Sequence, residues 1–402
     1  MSSNRREFIT RAIGTAAGTA GALAAPGRVL GANDRIRFAL IGAGSRGKEI
    51  FRAAMKVPNA EAAAVADVYT RRLDEVRAIV PGIQAHRDFR RVLDDKSIDA
   101  VLIATPQHQH VLNFVPAIQA GKDVYQEKTM AFNPGHAKRM RKAFQGSGRV
   151  VQIGMQMNSG EGIRKAKEWA GRMGTITVVQ AHHFRNAPYG GWLRQIPPDC
   201  DAEHVDWPAF EGEAAAHPFD PQRYMNWRFF WDYSGGNVFE NMVHQVGFWF
   251  EALHLGIPEA VTMTGANYLS PKMQVPDVMN VSMSLPEKVT FIWNSTFSND
   301  YYGETQDYVF GTAGTLIHKE TDEVIFQPQK EKQAAASAAP QSEYLDFTDR
   351  HMRNFFDCVR TRKEPNSPFE IGFRAAIACQ MACASYRRQA TVRWDPGTEE
   401  IV

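Results

Sequence analysis

The most constraining feature of the sequence is a glycine-rich turn placed directly after a short apolar run. Residues 35–41 (RIRFALI) predict a buried strand, and the turn GAGSRG at 42–47 follows it and opens a helical pattern. In this position Gly42 permits a tight turn, Gly44 lets the backbone approach a pyrophosphate, and Gly47 lets the helix pack closely on the strand. The free N–H groups at the helix start are suited to bind the phosphates. The turn therefore predicts a dinucleotide-binding fold.

An acidic residue after the second predicted strand indicates which dinucleotide is bound. Asp67 follows the strand at 62–66 and lies twenty residues beyond Gly47. A carboxylate there accepts hydrogen bonds from the ribose hydroxyls of NAD and repels the 2′-phosphate of NADP. Arg71 and Arg72 follow and would soften that preference, unless they are simply a solvated helix face. We expect NAD, and NADP stays open as the alternative.

Strands and helices alternate through the first half of the chain. Further strands are predicted at 98–104, 124–125 and 150–153, and helices at 70–80, 108–120 and 134–146. Such alternation is typical of a parallel sheet that is covered by helices on both faces. We therefore predict an α/β protein whose N-terminal Rossmann domain spans residues 33–155.

The pattern changes after about residue 154. Strand-like runs recur at 175–184, 260–268, 279–284, 289–296, 307–311, 315–319 and 323–327, and late helices at 346–361 and 370–388. They predict a C-terminal α+β domain, residues 156–402, with a largely antiparallel open sheet. Residues 186–232 are rich in proline, glycine and aromatic residues, and an irregular excursion of this length is commonly functional. Residues 330–342 predict a mobile loop.

The N-terminus resembles a twin-arginine export signal. Residues 4–10 (NRREFIT) precede a weakly apolar stretch rich in alanine and glycine at 12–25. The pattern predicts a signal peptide at 1–32 and export of the folded protein to the periplasm. The alternative is an uncleaved basic tail. The stretch is too short and too rich in glycine for a stable spanning helix, so we expect no stable membrane insertion of the mature chain.

Composition excludes two classes of protein. The 402 residues carry 46 basic and 44 acidic side chains, and a net charge of +2 leaves no electrostatic footprint for nucleic acid. No apolar run of about 18 residues occurs beyond the N-terminus, which excludes a multi-pass membrane protein. The four cysteines form no C-x-x-C pair, and Cys379 and Cys383 lie one helical turn apart in an apolar stretch, as core residues do.

Several ordered motifs resemble the Gfo/Idh/MocA family, which includes glucose–fructose oxidoreductase and inositol dehydrogenases. They are GAGSRG at 42–47, ATPQHQH at 104–110, AGKDV at 120–124, EKTM at 127–130, and WDYSGG at 231–236 followed by Glu240 and His244. The resemblance extends over residues 35–395. It implies a Rossmann domain and an open-faced second domain whose sheet often mediates oligomers, so we expect a homo-oligomer, either a dimer or a tetramer.

The sequence departs from the family pattern at three places. The usual Glu-Lys-Pro reads EKT at 127–129, which frees one backbone N–H but keeps the lysine. The usual Asp-x-x-x-His begins with Glu240, whose arm is one methylene longer, and this bears on the orientation of His244 and on substrate choice. The acidic residue usually found three positions after the histidine is Gly247.

Three residues are predicted to be catalytic: Lys128, His244 and Glu240. Oxidation of an alcohol requires removal of the O–H proton as hydride leaves the same carbon. A partly dehydrated lysine near a cationic nicotinamide would have a lowered pKa, so we expect Lys128, at the carboxyl edge of the sheet, to act as a general base or relay. His244 lies one helical turn beyond Glu240, so Glu240 is expected to hold the imidazole tautomer while His244 contacts the reacting hydroxyl. The alternatives are a solvated lysine and a structural histidine.

The resemblance also implies contacts for the ligands. Cofactor-binding residues are predicted to be Gly42, Gly44, Ser45, Arg46, Gly47, Asp67, Thr105, Pro106, His108, His110, Glu127, Lys128 and Gln156. Substrate contacts are predicted to be Lys128, Trp227, Tyr233, Asn241 and His244. We expect no metal, because the adjacent His182 and His183 would point to opposite faces of a strand, and hydride transfer needs none.

Three functions remain open at this stage. The first is an NAD(P)-dependent oxidoreductase that takes a hydride from a secondary alcohol of a sugar, polyol or glycoside onto a tightly bound cofactor. The second is a redox-neutral glycoside hydrolase or lyase, in which C3 is oxidised transiently, the aglycone is eliminated, and C3 is reduced again. The third is a sugar-binding protein that has lost catalysis.

Overall fold

The computed structural model describes residues 35–300, 306–329, 334–339 and 346–402. The predicted signal peptide and most of the predicted loop at 330–342 lie outside these residues. Within the described ranges, no helix combines the length and the apolar character that a bilayer crossing needs.

The first sheet is parallel, as predicted, and has six strands where the sequence indicated five. Its strands are β1 (Ile36–Ile41), β2 (Ala60–Ala66), β3 (Gln84–His86), β4 (Ala100–Ile103), β5 (Asp123–Gln126) and β6 (Val151–Ile153). Its helices are α1 (Ser45–Met55), α2 (Thr70–Ile79), α3 (Arg90–Asp94), α4 (His110–Gln119) and α5 (Pro134–Phe144). The strand order is β3-β2-β1-β4-β5-β6. The pattern analysis missed β3, because its three residues (QAH) carry neither an apolar run nor a β-branched side chain.

Both faces of this sheet are buried, which explains the unbroken apolar run of β1. Phe38 and Leu40 belong to one apolar cluster, whereas Ala39 and Ile41 belong to another. The first cluster is completed by a helix from the far end of the chain, residues 347–361, whose Phe356 ring lies 5.4 Å from that of Phe38. The predicted domain boundary places this helix in the second domain, but the helix covers the first sheet.

The second sheet is mostly antiparallel, also as predicted. Its strands are β7 (Ile176–His182), β9 (Ala260–Ala266), β10 (Val278–Ser284), β11 (Thr290–Thr296), β13 (Gln306–Gly311), β14 (Gly314–Lys319), β15 (Val324–Pro328), β16 (Ala336–Ala338), β17 (Val392–Asp395) and β18 (Glu400–Ile401), while β8 (Arg185–Asn186) pairs separately with β12 (Ser298–Asn299). The order is β16-β15-β14-β13-β7-β11-β10-β9-β17-β18, and β7 and β11 are parallel. Burial alternates along β10, so one face packs inward and the other remains open.

Six further α-helices occur in the described part of the chain, and all except the one at 347–361, which covers the first sheet, accompany the second sheet or lie beside it. They are α6 (Gly162–Ala170), α7 (Trp207–Glu211), α8 (Pro221–Met225), α9 (Val243–Ala252), α10 (Phe347–Thr361) and α11 (Phe369–Arg388). A π-helical turn, Val238–Met242, leads directly into α9 and carries Glu240. Such turns occur frequently at functional sites. Gly236 precedes it with φ +59°, and a Cβ there would lie 2.7 Å from Val275, so the entry to this turn requires glycine.

Candidate active site

A cavity of about 910 Å³ lies at the carboxyl ends of the first parallel strands. Its volume lies in the range of small-molecule and cofactor pockets, about 300–1,000 Å³. Seven predicted cofactor residues line it: Gly42, Gly44, Ser45, Arg46, Asp67, Thr105 and Pro106. Ligands of open α/β sheets bind at this edge, so the position agrees with the predicted nucleotide site.

The three glycines of the turn meet the geometric needs of a dinucleotide site. Gly42 has φ +92°, and a Cβ on it would lie 2.7 Å from the Thr105 nitrogen. A Cβ on Gly47 would lie 1.9 Å from the Gly42 carbonyl oxygen, so α1 packs against the turn only with glycine there. A Cβ on Gly44 would meet nothing closer than an Arg72 nitrogen at 3.7 Å, which leaves its backbone open to a ligand. These residues therefore fit a bound dinucleotide.

Asp67 lies at the end of β2, beside this turn. Its Oδ2 accepts a hydrogen bond from the Ala43 N–H at 2.6 Å, and its Oδ1 accepts one from the Tyr69 N–H at 2.9 Å. Burial raises the pKa of Asp67, and the nearby Arg72 guanidinium opposes that shift. Both side chains line the cavity, so the carboxylate expected to favour NAD lies close to a cation able to contact a phosphate.

An ion pair joins the two predicted catalytic segments. Lys128 follows β5, and its Nζ donates to Glu240 Oε2 at 2.7 Å and to the Glu240 carbonyl oxygen at 3.2 Å. The Arg228 Nε lies 3.2 Å from the same Oε2, and Gln107 Nε2 donates to Oε1 at 2.5 Å. Arg228 and Lys128 lower the pKa of Glu240 strongly against the opposing effect of burial. The carboxylate is therefore ionised and keeps Lys128 in place.

His244 stands one turn along α9 from this pair and is half-buried. Burial lowers the pKa of His244 well below 6.5, and the positive charges of Lys128 and Arg46 lower it further, while Glu240 only partly opposes them. The imidazole is therefore neutral at neutral pH and is able to accept a proton.

Comparison with known proteins agrees with this geometry. Residues 36–155 match the model of the Gfo/Idh/MocA family, an oxidoreductase family with an NAD-binding Rossmann fold. The nucleotide-binding segment is therefore similar to this family. The protein is an NAD-binding oxidoreductase.

Relatives of the oxidoreductase differ in activity. It is 32% identical to the inositol 2-dehydrogenase of Klebsiella pneumoniae (strain 342) over an aligned segment of 163 residues. This segment covers 39% of this chain and 47% of that protein. It is 23% identical over 286 residues to the 2,7-anhydro-N-acetylneuraminate hydratase of Mediterraneibacter gnavus, which covers 70% of this chain and 66% of that protein. The chain thus spans about half to two thirds of the length of these relatives.

A solved structure shows that the fold is shared over almost the whole chain. The levoglucosan dehydrogenase in complex with NADH aligns with a TM-score of 0.70 and 17% identity, over 89% of this chain and 99% of that one. At this identity the likeness shows the fold alone.

The excursion between β8 and the π-helical turn forms the second wall of the oxidoreductase's cavity. Its Asp206 N–H donates to the Val68 carbonyl oxygen at 2.9 Å, and the Thr70 N–H donates to the His204 carbonyl oxygen at 3.1 Å. Asp199 accepts hydrogen bonds from the Tyr69 hydroxyl and from Arg71 Nε, each at 2.8 Å. The excursion is therefore attached to the turn after β2, next to the expected adenosine end of the cofactor.

Three predicted ligand contacts, His108, His110 and Tyr233, stay predictions, and in this structure their side chains contact protein groups. His110 is fully buried, and its two ring nitrogens lie 2.8 Å from the Thr129 and 2.9 Å from the Thr105 carbonyl oxygen. His108 lies between the rings of Phe210 and Tyr233, and burial lowers its pKa to about 3. Tyr233 is fully buried in the same aromatic cluster. None of the three lines the cavity. His110 contacts backbone carbonyl oxygens, and His108 and Tyr233 pack among aromatic rings.

Two other predicted contacts lie behind the cavity wall. Glu127 is buried and accepts from Arg46 Nε at 2.8 Å, and Gln156 Nε2 donates to the same Glu127 oxygen at 3.3 Å. Arg46 is the member of this group that lines the cavity. Glu127 and Gln156 therefore fix the orientation of Arg46 and form no part of the cavity surface.

The expected contact between Glu240 and His244 is absent from the described part of the chain. Lys128, Arg228 and Gln107 occupy the carboxylate oxygens, since charge-assisted hydrogen bonds are stronger than a bond to a neutral imidazole. Glu240 therefore holds Lys128 and does not set the tautomer of His244.

The remaining predicted substrate residues lie around this ion pair. Trp227 lines the cavity, and the Arg228 guanidinium stacks 4.2 Å above its ring. Asn241 Oδ1 lies 3.4 Å from Arg185 Nη2. The sequence did not single out Gln107, Arg228 or Arg185. Gln107 lies within the motif at 104–110 but was given no role, and no motif marks the two arginines. Within the described ranges, no group of three His, Cys, Asp or Glu side chains is placed to hold a metal.

Proposed function

We propose that this protein oxidises a secondary alcohol of a sugar, polyol or glycoside with NAD. The observation that carries the proposal is the 2.7 Å pair between Lys128 and Glu240, which joins the nucleotide-binding half to the second domain beside a neutral His244. The pair adjoins the cavity through Arg228, which lines it and contacts Glu240. An ammonium and a neutral imidazole are groups that suit the oxidation of an alcohol. Inositol 2-dehydrogenase among the relatives supports a polyhydroxylated substrate.

The two side chains divide the work on the substrate hydroxyl. Lys128, held by Glu240, donates a hydrogen bond to the hydroxyl oxygen and stabilises the negative charge that develops there. His244 accepts the hydroxyl proton. The positive charges of Lys128 and Arg46 disfavour the resulting imidazolium, so the half-buried His244 then releases the proton to solvent water. When bound, NAD supplies the hydride acceptor.

This assignment is tested with Lys128→Ala. We expect turnover to fall about 10²- to 10⁴-fold, the usual contribution of positioned acid–base groups, while NADH binding measured by protein fluorescence is retained. The measurement is NADH absorbance across a panel of sugars and polyols. Wild-type turnover in the variant would refute the role of Lys128.

We also propose that the protein acts in the periplasm with a retained cofactor. The arginine pair at residues 5–6 supports export. The attachment of the excursion through Asp199 and Asp206 supports retention, because it covers one end of the cavity. Replacing both arginines by lysine should leave the protein in the cytoplasmic fraction, and periplasmic recovery of that variant would contradict export by this route.

Assembly into a dimer or tetramer is proposed through the open face of the second sheet. Ile292 and Phe310 are 37% and 36% exposed on this face, so the face offers apolar side chains to a second copy of the chain. Light scattering after gel filtration tests this: Ile292→Lys should lower the measured mass, and an unchanged oligomer would place the contact elsewhere.

A second candidate function is redox-neutral cleavage or hydration, in which the substrate is oxidised only transiently. The hydratase among the relatives favours it. The two functions differ in one measurement, because cleavage of an aryl glycoside without accumulation of NADH supports the redox-neutral route. Accumulation of NADH with an intact glycosidic bond supports net oxidation.

A further inference from the structure

Positive charge exceeds negative charge at the candidate active site. Lys128 and Arg228 share the single carboxylate of Glu240. A third cation, Arg185, lies on the other side of Asn241, with Nη2 3.4 Å from the Asn241 Oδ1. Three cations therefore face one carboxylate in a space where Lys128 is 14% and Arg228 is 26% exposed.

Arg185 is held firmly, but by neutral groups. Its Nη1 donates to the Gly190 carbonyl oxygen at 2.7 Å, and its Nη2 lies 2.6 Å from His183 Nε2. Its guanidinium lies 5.5 Å from the ring centre of Trp192, which lines the cavity. No carboxylate of the described residues forms an ion pair with it. Burial lowers its pKa, and the more distant Glu240 and Glu320 oppose that shift only through space.

The nearby histidines do not change this balance of charge, because they are neutral. Burial and the adjacent Arg185 lower the pKa of His183 to about 3, so its ring is neutral at neutral pH. Burial and neighbouring positive charges also lower the pKa of His244, so both imidazole rings are neutral. Among the described residues, Lys128, Arg228 and Arg185 outnumber the carboxylate of Glu240, and Glu320 acts on Arg185 only from a distance. A half-buried guanidinium that forms no ion pair is costly.

We propose that the substrate carries an oxyanion, a carboxylate or a phosphate on the sugar, that Arg185 and Arg228 bind. This inference rests on the proposed function and narrows its substrate to acidic sugars. The planar fork of an arginine matches both oxyanions and pairs with them through two parallel hydrogen bonds. The phosphates of the dinucleotide are a separate matter, because the turn at 42–47 offers them the N–H groups of α1.

The test compares matched pairs of sugars on the full protein loaded with NADH, so that binding is measured without turnover. Isothermal titration calorimetry is run with glucose and glucuronate, with galactose and galacturonate, and with glucose 6-phosphate. We expect at least one charged sugar to bind about 10- to 100-fold more tightly than its neutral parent, the effect of a charge-assisted hydrogen bond. Preference for the acids identifies a carboxylate, and preference for the sugar phosphate identifies a phosphate.

Variants assign the preference to its residue. Arg185→Gln should remove most of it, and Arg185→Lys should retain part, because the charge stays but the fork is lost. Arg223→Gln is the matched control, since Arg223 is a half-buried guanidinium of the excursion that already pairs with Asp232 at 2.9 Å. Its loss should leave the preference unchanged. Melting temperatures of all three variants separate unfolding from loss of the contact.

Failure of this inference is distinguishable from failure of the proposed function. Neutral sugars that bind as tightly as the charged ones, or a preference that survives in Arg185→Gln, would overturn the inference. If neutral polyols nonetheless reduce NAD, the proposed function stands. If charged sugars bind through Arg185 but none reduces NAD, the proposed function fails and the oxyanion site stands.

Discussion

Replacing Glu240 by glutamine tests the ion pair that connects the two halves. The substitution keeps the size of the side chain and its contact with Gln107, but it leaves Lys128 and Arg228 without their carboxylate. Glu240 is only 7% exposed, so the pair is buried, and removing one partner of a buried pair typically costs about 3–5 kcal/mol. We expect a loss of this size in the free energy of unfolding at pH 7, measured by urea denaturation.

The same variant predicts how the difference depends on pH. The pKa of Glu240 is lower in the folded protein than its ordinary value of 4.5. A carboxyl with a depressed pKa adds stability above its unfolded pKa and loses it as the pH falls toward the folded pKa. The difference in the free energy of unfolding between wild type and Glu240→Gln should therefore be largest at pH 7 and decrease below about pH 4.5.

Glu251→Gln on α9 is the matched control for this measurement. Glu251 pairs with Lys167 at the surface, where the lysine side chain is 38% exposed, so its removal should cost about 0–1 kcal/mol. Equal costs for the two variants at pH 7, or a gap that widens in acid, would refute the view that a buried carboxylate holds Lys128.

Three further predictions concern the cofactor and the base. Asp199→Ala should speed NADH release in stopped-flow fluorescence, because Asp199 attaches the excursion to the turn after β2. We expect only about a 2- to 5-fold change, because the ion pair of Asp199 with Arg71 is partly exposed, and no change in the control Asp201→Ala. His244→Gln should lower kcat about 10²-fold or more, and wild-type kcat/KM should stay level down to pH 6.5, since the imidazole protonates only below that. Gly47→Ala should lower the melting temperature, whereas Gly44→Ala should weaken NADH binding without doing so. The reverse pattern for the two glycines would contradict their assigned roles.

The sequence by itself determined five strands of the first sheet, the glycine-rich turn expected to bind the cofactor, and the two helices near the C-terminus. These features depend on local rules, since a buried parallel strand is an apolar run and a tight turn needs glycine wherever it occurs. The sequence also singled out Lys128 and His244 as catalytic candidates, because each lies in a short motif. The three-residue strand β3 was not predicted, because no sequence pattern distinguishes so short a strand from a loop.

Only the tertiary structure decided what the charged side chains contact. Lys128 and Glu240 are 112 residues apart, and their contact depends on how the second domain docks on the first. The rings of His108 and Tyr233 turn into an aromatic cluster, where packing gains more than exposure to a ligand. Arg228 and Arg185 reach the site through long, flexible side chains. Periodicity reports which face of an element is buried, whereas an ion pair depends on distances between elements that the chain sets only when it folds.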